Sequence, residues 1–103
     1  MACKIVVTED AERDIDGIIR YIISEFKNPS AAIAFLDNVE ECYRNIESNP
    51  RMYALCHDER LFAMGYRKAA AANYLVLYKV TKDNSTAVIA RVIYGGRNYS
   101  EML

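Results

Sequence analysis

The chain has no tryptophan, one histidine, two prolines and four glycines in 103 residues. So little proline and glycine leaves no room for a low-complexity linker, and disorder is not expected except at the extreme ends. The three cysteines, Cys3, Cys42 and Cys56, are odd in number and widely spaced. Neither a disulfide framework nor a four-ligand zinc site can be assembled from them alone, so they read as reduced thiols without a catalytic role. No apolar run approaches the roughly 20 residues of a membrane span; the longest lie around Ile18 to Ile23 and Tyr74 to Tyr78. The stretch from Met1 to Asp10 turns acidic after a few apolar positions and lacks the features of a secretory leader, which predicts a cytoplasmic protein with no membrane partner.

What is present is an ordinary globular composition, 52% apolar and 26% charged, at a length that suits one domain with one core. The charge is unevenly placed. From Gly65 to Leu103 there are six Lys or Arg against two acids, whereas Met1 to Met64 has seven against twelve. A net charge of −1 therefore conceals an acidic half and a basic half, and a local basic surface attracts phosphates whatever the net charge.

Lys4 to Val7 is a short β-branched run, and Thr8-Glu9-Asp10 supplies a capping hydroxyl followed by acids suited to the positive end of a helix. Ile15, Ile18, Ile19, Ile22 and Phe26 then fall on one helical stripe, widened by Ile23, with Asp14, Asp16, Arg20 and Glu25 assigned to the wet side. Asn28-Pro29 starts a second helix, because proline at the first helical position gives up no hydrogen bond the helix needs. Ala32, Phe35, Leu36, Val39, Tyr43 and Ile46 repeat the helical spacing until Asn49-Pro50 stops it. The short connection at Lys27-Asn28 makes the two helices an antiparallel hairpin.

Arg51 to Ala63 shows no clean period and reads as a surface loop. Strands are predicted at Gly65 to Ala70, Tyr74 to Thr81 and Ala87 to Tyr94, with Lys82 to Ser85 as the last turn. In the middle strand Tyr74, Val76, Tyr78 and Val80 line one face and Leu75 and Leu77 the other. A helical hairpin covers only one of these faces, and Tyr74, Val76 and Tyr78 are expected on the face it does not reach.

The opening strand and acidic helix start resemble the RelE/ParE superfamily of bacterial type II toxin–antitoxin systems. So do the Asn28-Pro29 break with Ala31-Ala32 and Phe35-Leu36, the Gly65-Tyr66-Arg67-Lys68 strand, the Asn73 to Tyr78 strand, and the closing Arg91-Val92-Ile93-Tyr94-Gly95-Gly96-Arg97-Asn98-Tyr99 segment. The resemblance runs over nearly the whole chain and rests on the order and spacing of these parts. It implies an α+β fold of order β-α-α-β-β-β, with a helical hairpin packed on a twisted antiparallel sheet. It also implies a toxin of an addiction or plasmid-stabilisation module and a cognate antitoxin that silences it. Two activities share the fold. RelE-like members cut messenger RNA at the ribosome and ParE-like members poison DNA gyrase, while a homologue without toxicity would only bind its antitoxin. The RelE-like activity is slightly preferred at this level. No cofactor or metal is expected.

Metal-free RNA cleavage needs a base for the 2′-hydroxyl, cations for the charged phosphate and an acid for the leaving oxygen. The candidates are Arg67, Lys68, Arg91 and Arg97 for phosphate, with Tyr94 and Tyr99 for proton transfer or base stacking. Arg97 is the foremost, since its Gly-x-Arg context resembles that of the arginine RelE-like toxins place at the scissile phosphate. Arg91 is expected to pair with an acid of the helices, and Arg67 and Lys68 read equally well as a solvated strand edge. Leu75 stands where RelE-like nucleases carry an arginine, and the C-terminal general acid has no firm equivalent. His57 reads as an exposed loop residue, and Asp10, Glu12, Asp14 and Asp16 cannot all face one ion from a helix. An antitoxin element, or the segment Tyr99 to Leu103, is expected to cover the face bearing Tyr74, Val76 and Tyr78, and without antitoxin the chain could pair into a homodimer through it.

Overall fold

The computed structural model describes residues 3–103. A strand β1 (Lys4–Val7) leads into helix α1 (Glu9–Phe26), helix α2 (Pro29–Ser48) and a short helix α3 (Glu59–Ala63). Strands β2 (Arg67–Ala71), β3 (Tyr74–Val80) and β4 (Thr86–Tyr94) follow, and a single 3-10 turn at Tyr99–Glu101 ends the chain. This is the α+β architecture expected, a helical hairpin on a four-stranded sheet of order β1-β4-β3-β2. The three later strands run antiparallel, and β1 joins them in parallel on the far side of β4, from Lys4 opposite Thr86 to Val7 opposite Ile89.

The element ends follow the local chemistry. The Thr8 hydroxyl accepts from Ala11 N–H and caps α1, as Asn28 does from Ala31 N–H for α2 with Pro29 in the first turn. Lys27 takes the left-handed conformation, φ 49°, and closes the tight connection between the helices. The segment read as an unbroken surface loop is more structured than its lack of period implied. Asp58 caps α3 through Leu61 N–H, Leu61 and Cys56 are fully buried, and Leu55 bridges to Arg67. A helix of five residues is too short to show a period.

The hairpin packs Ile22, Phe35, Val39 and Ile46 against Val76, Tyr78, Ile89 and Val92. The expectation for β3 is thereby reversed: Tyr74, Val76 and Tyr78 lie on the helix-covered face. Alternation assigns residues to two faces without saying which face the helices take. Tyr78, with no exposed surface, donates its hydroxyl to the Pro50 carbonyl at 2.8 Å. The opposite face carries Leu77 and Ile93 under Cys56 and Leu61, with Tyr99, Met102 and Leu103 packed against them. The C-terminal segment thus folds over the Leu75 and Leu77 face. On the helices, Phe26 and Ile23 leave the predicted stripe and are 64% and 47% exposed.

Among the described residues no helix is long and apolar enough to cross a membrane, and no group of His, Cys, Asp and Glu is arranged to hold a metal ion. All three cysteines are free and buried. Burial pushes the thiols of Cys3 and Cys56 up and that of Cys42 up to about 11, so little reactive thiolate exists near neutrality. The folded protein at pH 8 is expected to resist alkylation at all three positions and to react fully once unfolded. Ile46→Ala should cost about 3 kcal/mol in urea denaturation, whereas Ile33→Ala, at a 60% exposed position, should shift stability by under about 0.5 kcal/mol.

Candidate functional site

Strand β1 is too short to cover the whole of β4, and what lies beyond Val7 defines the candidate site. A bulge places Leu77 opposite Arg91 and Tyr78 opposite Ile89, leaving Ala90 as the extra residue. The bulge moves Arg91 to the face of Leu77 and strengthens the local twist. At the same point α1 crosses the open edge of β4. The Thr8 hydroxyl lies 2.9 Å from the Ile89 carbonyl and 3.0 Å from that of Ala90, and the Asp14 carboxylate accepts from the Val92 N–H at 3.0 Å.

Asp14 also holds Arg91 in a two-pronged pair, Nε to Oδ2 at 2.7 Å and Nη2 to Oδ1 at 2.8 Å. Their side chains are 15% and 22% exposed, and the carboxylate raises the guanidinium pKa above its already high ordinary value. The remaining terminal nitrogen of Arg91 donates to the Met102 carbonyl at 3.0 Å. The expectation that Arg91 pairs with a helix acid holds, and the acid is one that periodicity had assigned to solvent.

The other candidate cations are similarly placed. Arg67 donates to the Tyr53 carbonyl at 2.7 Å and that of Arg51 at 3.3 Å. Lys68 sits over the Tyr99 ring, 5.6 Å from its centroid. Arg60 donates to the Ser100 and Leu103 carbonyls at 2.6 and 2.7 Å and fastens the tail across this face. Lys68, Arg91 and Tyr99 therefore belong to the tail-covered face, and Arg67 faces the loop after α2. His57 lies exposed in that loop.

Tyr94 and Arg97 are brought together elsewhere, in a groove of about 730 Å³ between α1 and the free end of β4. Arg13, Gly17, Ile18, Tyr21 and Phe26 line it from α1, with Tyr74 at its base. The rings of Tyr74 and Tyr94 meet edge to face at 5.9 Å, as do those of Tyr21 and Phe26 at 5.7 Å. Gly96 is glycine where the Tyr94 ring lies 2.8 Å from the position of a Cβ, so a side chain there would displace the ring. Among the described residues the guanidinium of Arg97 has no hydrogen-bond or ionic partner. Sequence reasoning missed Asp14, Gly17, Tyr21 and Phe26. A glycine inside an otherwise strong helical stripe was the one available signal.

The sequence model described as ParE toxin of type II toxin-antitoxin system, parDE, matches residues 5–99. No curated protein matches the chain by sequence. Among the solved structures that share its fold are three from toxin-antitoxin systems. A chain of the RelBE2 toxin-antitoxin complex from Mycobacterium tuberculosis has 24% identity and a TM-score of 0.63 over 91% of this chain and 99% of that one. A chain of the chromosomal ParDE system from P. aeruginosa has 17% identity and a TM-score of 0.67 over 90% and 96%. A chain of the archaeal RelE-RelB complex from Pyrococcus horikoshii OT3 has 13% identity and a TM-score of 0.54 over 94% and 99%.

Removing one partner of a largely buried pair strands the other charge. Arg91→Leu should therefore lose about 3 kcal/mol in chemical denaturation. In Asp14→Ala the Val92 amide should exchange with solvent much faster than in the parent, at pH values where the fold is intact. Unchanged Val92 exchange would remove Asp14 from its role at the strand edge.

Proposed function

The chain belongs to the family of ParE toxins of type II toxin–antitoxin systems, and on that premise we propose that it acts by binding DNA gyrase without doing chemistry. It is the toxin of such a module, within the RelE/ParE superfamily. In the proposed reading a cognate antitoxin silences it.

The observation that carries the gyrase reading is the engagement of the phosphate-binding candidates. A cleavage site needs cations and donors already aimed at the charge that develops on phosphate. Arg91 is spent on Asp14 and the tail, Arg67 on two backbone carbonyls, and Lys68 on the Tyr99 ring. Leu75 and Leu77 lie under the tail, and His57 is in a loop. A surface of this kind supports recognition of a protein target better than cleavage of a phosphodiester. The RelE-like ribonuclease reading keeps one supporting observation, Arg97 beside Tyr94 in the groove, without a side-chain partner among the described residues.

Induction in a test bacterium separates the two. The expected outcome is DNA damage with intact messages, together with loss of supercoiling by purified gyrase on adding the purified chain. Ribosome-bound transcripts cut within codons, with supercoiling unaffected, would overturn the gyrase reading in favour of the nuclease.

A further inference from the structure

The segment from Asn98 to Leu103 is held to the body by side chains alone. Among the described residues no backbone hydrogen bond joins it to the rest of the chain; Glu101 N–H to the Asn98 carbonyl and Met102 N–H to the Tyr99 carbonyl are both internal to it. The hydrogen bonds that reach it from the body come from arginines. Arg60 donates to the Ser100 and Leu103 carbonyls and Arg91 to that of Met102, while Lys68 stands over the Tyr99 ring. The acceptors are neutral, and a guanidinium bonds a carbonyl less strongly than it bonds an anion.

Apolar packing supplies the rest. Tyr99, Met102 and Leu103 lie on Cys56, Leu61, Leu77 and Ile93, a cluster separate from the core beneath the helices. Four buried residues make a small core, and the three tail residues upon it stay partly exposed. A segment with few buried contacts and no ladder of its own opens at a cost well below that of global unfolding.

Nothing else in the fold has to move with it. Tyr94 to Asn98 are exposed, and the chain turns there at Gly95-Gly96. Gly95 N–H bonds the Asn73 carbonyl and Arg97 N–H that of Tyr94, so the turn is fixed on the sheet and the chain is free to swing after Arg97. Arg91 keeps both bonds to Asp14 with or without the Met102 carbonyl, which leaves the edge of β4 intact. Arg60 is different. Its other contact is a weak one to the Met64 sulfur at 3.9 Å, and its main partners are the two tail carbonyls.

What the tail covers follows from the strand register. Lys68, Leu77 and Arg91 stand side by side on β2, β3 and β4, and Leu75 is opposite Ile93 in the neighbouring row. Lifting the tail uncovers an apolar strip and releases Arg60 and Lys68 beside it.

We propose that Asn98 to Leu103 is a hinged strap, latched by Arg60, which opens as a unit and unmasks this basic and apolar face of the sheet. The closed strap competes for the face from within the molecule. A partner that uses the face binds the open fraction alone, and its apparent affinity is reduced by that fraction. The device stands whichever target the toxin has.

The cysteines test this in the full-length protein, because Cys56 lies in the cluster under the strap and Cys3 and Cys42 lie in the main core. Iodoacetamide labelling is followed by mass spectrometry at pH 8 over long incubation, each rate being divided by that of the same cysteine in the urea-unfolded chain. Protection should end first at Cys56, at least about ten-fold before the other two. Arg60→Met keeps the stem of the side chain and removes the latch, so it should speed Cys56 roughly a further ten-fold and leave Cys3 and Cys42 unchanged. Tyr99→Ala, which removes tail packing instead, should act in the same direction. Equal protection of the three cysteines in the parent would overturn the proposal. So would a Cys56 rate that neither variant raises, or variants that speed all three cysteines together and thus open the whole fold.

Discussion

One carboxylate does the work of a missing strand. Strand β4 runs from Thr86 to Tyr94, but β1 pairs with it only as far as Ile89. An open edge beside a buried core leaves polar backbone groups exposed to mispairing or without partners. Asp14 satisfies the Val92 N–H and Thr8 reaches the Ile89 and Ala90 carbonyls, so the start of α1 finishes the edge that β1 leaves incomplete. A carboxylate placed so near the core needs a counter-charge, which Arg91 supplies. Arg91 in turn reaches the tail through the Met102 carbonyl. Helix, sheet and tail are joined at one pair of side chains.

The groove is a consequence of the same arrangement. Because α1 holds β4 at Asp14 and then continues past its end, the later residues of the helix stand over the last residues of the strand, and Tyr21, Phe26, Tyr94 and Arg97 surround the space between them. The tail side is closed by comparison, with Arg60 fastening the carbonyls of Ser100 and Leu103 over Leu77 and Ile93. The basic third of the sequence is thus divided by the fold. Most of its cations hold the molecule together, and Arg97 is directed outward into the groove.

The helical hairpin, the strand order along the chain and the Lys82 to Ser85 turn were legible in the sequence, because capping residues, prolines and hydrophobic periods act locally. The placement of Asp14 was not. A helical wheel sorts residues by polarity and puts an aspartate in solvent, and it cannot know that a strand edge with an unmet N–H lies opposite. The orientation of β3 was hidden for a related reason: both of its faces are apolar, so Val76 and Leu77 look alike until the helices and the tail have each taken a side. Of the candidate cations, Arg91 could be read as an ion pair from the excess of acids in α1. The ends to which Arg67 and Lys68 are put depend on loop carbonyls and a tail ring that no pattern announces.

The parallel contact between β1 and β4 also bears on how the toxin comes into being. Thr8 bonds carbonyls 81 and 82 positions further along the chain, and among the described residues β1 has no sheet partner other than β4. Contacts so distant in sequence form late, after the loop-closure entropy between them has been met. During synthesis β1 must therefore wait for nearly the whole polypeptide, while the hairpin beside it can already form. A truncated translation product that stops short of β4 leaves the sheet incomplete and the groove unbuilt. The topology by itself withholds the finished surface until nearly the last strand has been made.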